Sequence, residues 1–189
     1  MDLARSSQHD SGESVRRSAL EPNALPFADI GNNGNMQVTA KIDYALRALV
    51  EMASRPDEML SRDDLAQAQS IPTRYLESIL LQLRQSGLVM GRRGAKGGYV
   101  LGRAALDISV ADVSRSVDGP LAMVQGVRPE QASYEGSAVA IGDLWVAVRA
   151  AMRSVMEHVT IQDLVDQQLP GHVQVLVDDP DAWIPRSIG

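Results

Sequence analysis

PTRYLESILLQLRQSGLVMGRRGAKGGYVL, residues 72–101, holds a periodic segment of helical length that runs directly into a basic, glycine-rich turn. Placed at about 100° per residue, Leu76, Ile79, Leu80 and Leu83 fall on one arc. Arg74, Ser78, Leu81 and Gln85 fall on the opposite arc, flanked by Glu77 and Gln82. Pro72 is tolerated in the first turn of such a helix, and Gly87 suits the left-handed residue that ends it. Leu88-Val89-Met90 and Tyr99-Val100-Leu101 then predict two short strands around a glycine-rich tip. That tip carries Arg92, Arg93 and Lys96, three cations within five residues. They repel one another, which costs stability unless an anion is the partner.

Upstream, Thr39 is a plausible cap for a first helix to about Ser54, with Ile42, Ala45, Leu46, Leu49 and Met52 as its buried stripe. Arg55-Pro56-Asp57 ends it. A second, short helix starts at Ser61, with Asp63 and Asp64 in its first turn and Leu65 and Ala66 pointing inward. Three helices followed by a two-stranded hairpin predict a mainly α fold with a small β wing, a winged helix-turn-helix. In that geometry the third helix enters the major groove and the wing the minor groove, where arginine suits the strong negative potential. Thr73 and Arg74 lie nearest the helix start, arginine can fork onto guanine or a phosphate, and Ser78 or Gln85 can read base edges. Tyr75 sits at the boundary of the two faces, its ring packing while its hydroxyl reaches for a phosphate. Arg92, Arg93 and Lys96 grip from the wing, and Thr39, Lys41 and Ser61, at the starts of the first two helices, complete the expected DNA-contact set. Leu81 on the outer arc meets either a thymine methyl or a partner protein. The bland alternatives are a solvated helix face and a solvated basic hairpin.

Downstream, Ser109 to Val117 predicts a short helix ending at Asp118-Gly119-Pro120, and residues 121–136 show no period. A long helix is predicted from Ser137 to Val159, roughly 33 Å. Ile141, Leu144, Trp145, Val148, Met152, Val155, Met156 and Val159 line one of its sides. Thr160 caps a last short helix through Leu164 and Val165. The expected organisation is a disordered extension (1–35), a winged helix-turn-helix (36–109), an effector loop with a dimerisation helix (110–169), and a flexible Pro- and Asp-rich tail (170–189). Met36 opens the first periodic segment and is a second candidate translation start.

Composition narrows the chemistry. The net charge of −6 divides unevenly: residues 36–109 hold ten basic and eight acidic side chains, whereas 110–189 hold five and eleven. The positive field therefore lies around the helix and wing, where phosphates would be drawn. Cysteine is absent, so disulfides, thiolate metal sites and cysteine nucleophiles are excluded. No run suits a membrane span and no signal-type segment opens the chain, so a cytoplasmic protein is expected, on the nucleoid when bound to DNA. Gly94-Ala95-Lys96-Gly97-Gly98 does not fit a phosphate-loop pattern. His9, His158 and His172 lack metal-ligand spacing, and the Asp63-Asp64 and Asp178-Asp179-Asp181 clusters do not form an acid/base pair. No catalytic residue, metal or cofactor is expected.

Residues 36–169 resemble the Rrf-type family of winged-helix transcription regulators that includes IscR, NsrR and CymR. The likeness rests on Tyr44-Ala45-Leu46-Arg47-Ala48-Leu49, Arg74-Tyr75-Leu76-Glu77-Ser78-Ile79-Leu80 and Leu83-Arg84-Gln85-Ser86-Gly87-Leu88-Val89. It continues through Arg93-Gly94-Ala95-Lys96-Gly97-Gly98-Tyr99-Val100-Leu101, Val117-Asp118-Gly119-Pro120-Leu121, Leu144-Trp145 and Thr160-Ile161-Gln162-Asp163-Leu164. The resemblance implies a homodimeric regulator, a repressor reading a pseudo-palindromic operator in double-stranded DNA. Its long helix would cross between subunits through Ile141, Leu144, Trp145, Val148, Met152 and Val155; burial within one subunit explains that stripe nearly as well. Sensing members of the family carry three cysteines in the loop before the long helix; here residues 124–136 have none. A cluster-free branch is implied, with a small-molecule or protein effector, or no signal at all. Arg128, Glu130 and Tyr134, with Trp145, either form an effector pocket or order the loop and pack. The alternative from another class is a winged-helix adaptor that binds an acidic protein without reading DNA.

Overall fold

Thr39 opens the described chain as a helix cap, its hydroxyl accepting the Ile42 N–H at 3.3 Å to start α1 (Ala40–Ser54). The structure is a computed structural model that describes residues 38–94 and 97–185; the expected 1–35 extension, Met36 and Lys96 lie outside the described residues. Helix α2 (Arg62–Gln69) begins with a reciprocal cap between Ser61 and Asp64. The Ser61 hydroxyl accepts the Asp64 N–H, and the Asp64 carboxylate accepts the Ser61 N–H, both at 3.1 Å. Hydrogen bonds from the Ser61 hydroxyl and then its backbone amide hold the Asp64 carboxyl below its ordinary value.

Helix α3 (Thr73–Gln85) closes with Leu88 N–H on the Leu83 carbonyl at 2.9 Å and Gly87 N–H on Arg84 at 3.2 Å. This Schellman closure needs a left-handed residue, supplied by Gly87 at φ +73°. Strands β1 (Val89–Arg92) and β2 (Gly98–Leu101) pair antiparallel, with Gly91 opposite Tyr99 and Arg92 opposite Gly98. Leu60, just before α2, exchanges two backbone hydrogen bonds with Tyr99, at 3.1 and 2.8 Å, and so ties the wing to the helical core. At Gly98 the backbones approach so closely that a Cβ would lie 2.7 Å from the Leu60 carbonyl oxygen. Gly98→Ala is expected to force this seam apart, lowering stability by about 1–3 kcal/mol; urea denaturation checks it, and an unchanged midpoint would count against the seam.

The core is built from Leu49, Leu65, Leu76, Ile79, Leu80, Leu83 and Leu88, all essentially inaccessible. Burying each leucine-sized side chain contributes about 1.5–3 kcal/mol. It does not stop at residue 109, where a domain boundary was expected. Val113 and Val117 of α4 (Val110–Val117), and Ile161 of α6 (Ile161–Val165), belong to the same cluster. Val110 N–H on the Val159 carbonyl and Ile161 N–H on Ile108, both 2.9 Å, join the starts of α4 and α6 side by side.

Between them runs α5 (Ala140–Met156), 17 residues and about 25 Å long, shorter than the periodicity implies. Gly136–Ala138 form a separate 3-10 turn, and Val159 is drawn out of the helix by its bond to Val110. None of the 17 residues is fully buried. The expected loose tail is instead partly folded: α7 (Gly171–Asp178) follows Pro170, buries Val173, and leads into a 3-10 turn over Pro180–Trp183. Trp183 Nε1 donates to the Val177 carbonyl at 2.8 Å, closing that turn onto the helix.

Candidate nucleic-acid interface

The inner arc of α3 is consumed by the core, so its outer arc is presented to solvent. Arg74, Glu77, Ser78, Leu81 and Arg84 stand on one stripe, and with Leu80 and Tyr99 of the wing they line a cleft of about 400 Å³. A Cβ at Gly91 would lie 3.4 Å from the Tyr99 ring and 3.6 Å from Arg84 Cδ.

The charges on this face are distinctive. Arg47, Arg55, Arg62, Arg115, Arg149 and Arg153 each pair with a carboxylate. Among the described residues, Arg74, Arg84, Arg92 and Arg93 have no such partner and are exposed, as are Arg103 and Arg128 elsewhere. Exposed, unneutralised guanidiniums such as Arg74 and Arg84 on the α3 stripe are what phosphate and guanine recognition uses. Glu77, held by Arg62 at 3.5 Å, is the acidic exception within the stripe.

The expected contact residues are not all equally free. Thr73, Arg74, Tyr75, Ser78 and Gln85 are exposed along α3. Tyr75 also packs its ring against Tyr44, with centroids 6.5 Å apart, and Arg47 stacks over Tyr44 at 5.0 Å. Ser61 is half-buried and its hydroxyl donates to Asp64 at 2.6 Å. Thr39 donates to Asp118 at 2.5 Å, and Lys41 donates to the Val117 carbonyl at 2.5 Å and faces Asp118 at 3.9 Å. Thr39 and Lys41 are therefore held by the end of α4. Arg84, outside the expected contact set, lines the same cleft; its place at i+10 from Arg74 and i+3 from Leu81 is the signal for it in the sequence.

The other candidates divide similarly. Of the α5 stripe, Ile141 and Leu144 are exposed, while Trp145, Val148, Met152 and Val155 are half-buried. Arg128 and Glu130 line a second cleft together with Arg149 of α5, which pairs with Glu130. Tyr134 and Trp145 do not line it; the Tyr134 ring lies against Gly142 instead. His158 and His172, far apart in sequence, meet edge to face with ring centres 5.1 Å apart, each with a ring nitrogen on the Ser154 carbonyl. Among the described residues no helix is long and apolar enough to cross a membrane.

Residues 38–167 match the Rrf2 family, described as iron-dependent transcriptional regulators. A Mycobacterium tuberculosis protein named as an HTH-type transcriptional regulator is 45% identical over 145 residues, covering 76% of this chain and 90% of that protein. The structure of CymR, the global cysteine regulator of Bacillus subtilis, superposes with a TM-score of 0.61 at 30% identity, over 71% of this chain and 99% of that one. IscR of T. potens gives a TM-score of 0.56 at 25% identity, over 81% and 95%. The sequence has no cysteine, the 124–136 loop has no histidine either, and no three His, Asp or Glu cluster for a metal among the described residues. With a winged helix-turn-helix, an unpaired cationic face and relatives along most of its length, and with transcriptional regulators rather than enzymes for kin, this chain belongs to the Rrf2 family of transcriptional regulators, in a form without the cluster-binding cysteines.

Proposed function

We propose that the protein is a cytoplasmic, homodimeric repressor that reads a pseudo-palindromic operator. Helix α3 enters the major groove and the β1–β2 wing the minor groove, with α5 pairing two subunits. The observation that carries this reading is the outer stripe of α3, where Arg74 and Arg84 stand exposed without a carboxylate partner beside a core that consumes the opposite side of the helix, with Arg92 and Arg93 likewise exposed and unpaired at the end of β1. Arg74, Thr73, Ser78 and Gln85 are the base- and phosphate-reading set on α3, and Arg92, Arg93 and Lys96 that of the wing. Thr39, Lys41 and Ser61 supply the rim once DNA phosphates replace their bonds to Asp118, the Val117 carbonyl and Asp64. Two such faces on a two-fold axis match half-sites about 34–36 Å apart.

The test is fluorescence anisotropy of the full chain on the intergenic DNA flanking its own gene and on random duplex, across a salt series. A preference of about 10³-fold or more is expected; equal affinities would overturn the proposal. In the same assay Arg93→Ala is expected to weaken both duplexes alike and to flatten the log–log salt slope by about one. Repression is checked by a reporter on that promoter, whose output is expected to rise when the regulator is deleted.

A further inference from the structure

We propose that the second cleft is a binding site for a small polyanion bearing carboxylate or phosphate groups. About 380 Å³ in volume, it lies between α4, the Gly119–Leu121 turn, the 3-10 turn over Pro129–Gln131, and α5. This is the small end of the ~300–1,000 Å³ range of ligand pockets. Four guanidiniums line it, those of Arg115, Arg128, Arg149 and Arg153, against the single lining carboxylate of Glu130. Leu121 gives it a buried apolar wall.

The charges are incompletely balanced. Glu130 is committed to Arg149, and outside the lining Glu157 takes both Arg115 and Arg153, the latter at 2.9 Å, while Asp112 faces Arg115 at 3.9 Å. Arg128 has no carboxylate partner among the described residues. Arg149 is the most enclosed of the four, its side chain 19% exposed. Guanidiniums fork onto planar carboxylates and onto phosphates with two parallel hydrogen bonds, so converging arginines select such anions over chloride. Glu130 sits in the cleft as a tethered stand-in for the ligand's own anionic group. Its carboxyl is held below the ordinary value by its backbone amide and then by Arg149. An incoming polyanion would take Arg149 from Glu130 and engage Arg128.

The placement also gives the ligand something to regulate. Arg115 belongs to α4, which is packed in the DNA-reading core, whereas Arg149 and Arg153 belong to α5. A bound polyanion would clamp one to the other. That coupling to DNA rests on the function proposed above; the binding itself does not.

Isothermal titration calorimetry of the full chain, at fixed ionic strength and without DNA, tests the site with citrate, pyrophosphate, inorganic phosphate and chloride. Saturable binding of citrate or pyrophosphate is expected, with chloride inert, and the two arms show whether carboxylate or phosphate is preferred. Arg128→Gln, at an exposed and unpaired position, is expected to weaken binding about tenfold or more. Glu130→Gln is expected to tighten it, because the competing carboxylate is gone, whereas a purely structural ion pair would give unchanged or weaker binding. No saturable binding, indifference to Arg128→Gln, or weakening by Glu130→Gln overturns the site. Failure of operator recognition by the ligand-free protein would sink the DNA reading and leave these titrations valid.

Discussion

Replacing Arg74 with alanine is expected to erase most of the distinction between the operator and its single-base variants while leaving the fold intact. Arg74 stands in the first turn of α3, exposed, two residues after Pro72 and without a carboxylate to satisfy it. The N-terminal turns of a recognition helix lie against base edges, and one bidentate arginine–guanine pair accounts for about 1–3 kcal/mol of discrimination, roughly 10- to 100-fold. No core contact is lost, because Leu76, Ile79, Leu80 and Leu83 carry the packing of this helix. Competition binding with a panel of point-mutated operators measures the effect. The contrast with Arg93→Ala is the informative part: a wing phosphate contact weakens all duplexes in parallel, whereas Arg74→Ala compresses the spread among them. Parallel weakening by both variants would mean that Arg74 holds phosphate and that base reading lies elsewhere on the stripe.

The exposed face of α3 is legible because one periodicity settles two things: the spacing that buries Leu76, Ile79, Leu80 and Leu83 also dictates what faces outward. Caps were legible for the same local reason; Ser61 and Thr160 bond to groups three residues away. What periodicity does not carry is the identity of the surface a stripe packs against. Ile161 returns to the core of α1 and α3 across a chain separation that no local pattern encodes, so the expected boundary after 109 divides a single core. Tyr99 and Leu60 pair across 39 positions, again by backbone hydrogen bonds that any residue type could make. Helix α7 was missed because Pro170 and the following aspartates read as loop chemistry. Its eight residues are too few to form a stable helix alone, and burial of Val173 together with the His172 bond to Ser154 ties it down instead. Thr39 and Lys41, expected as DNA contacts, bond to the end of α4, a partner that nothing local in the sequence reveals.

Leu144→Asp is expected to convert the protein into a folded monomer with about 10²- to 10⁴-fold weaker operator binding. Helix α5 has a composition suited to a core, yet none of its residues is fully buried, and Leu144 is 53% exposed and Ile141 38%. An apolar helix in that state is stable in water when a second surface covers it, and a two-fold copy of itself is the simplest such surface. Because Leu144 contributes little to the packing of one chain, its replacement should shift single-chain stability by no more than about 0.5 kcal/mol. The operator loss arises instead from geometry: two linked reading heads bind the second half-site as an intramolecular event, and that gain vanishes when the heads separate. Sedimentation velocity would report the change in mass, thermal melting the intact fold, and titration of a single half-site an affinity equal to that of the parent. A dimer that survives Leu144→Asp would move the subunit contact off this face of α5, and half-site affinity falling as far as operator affinity would show that the substitution had damaged the reading head itself.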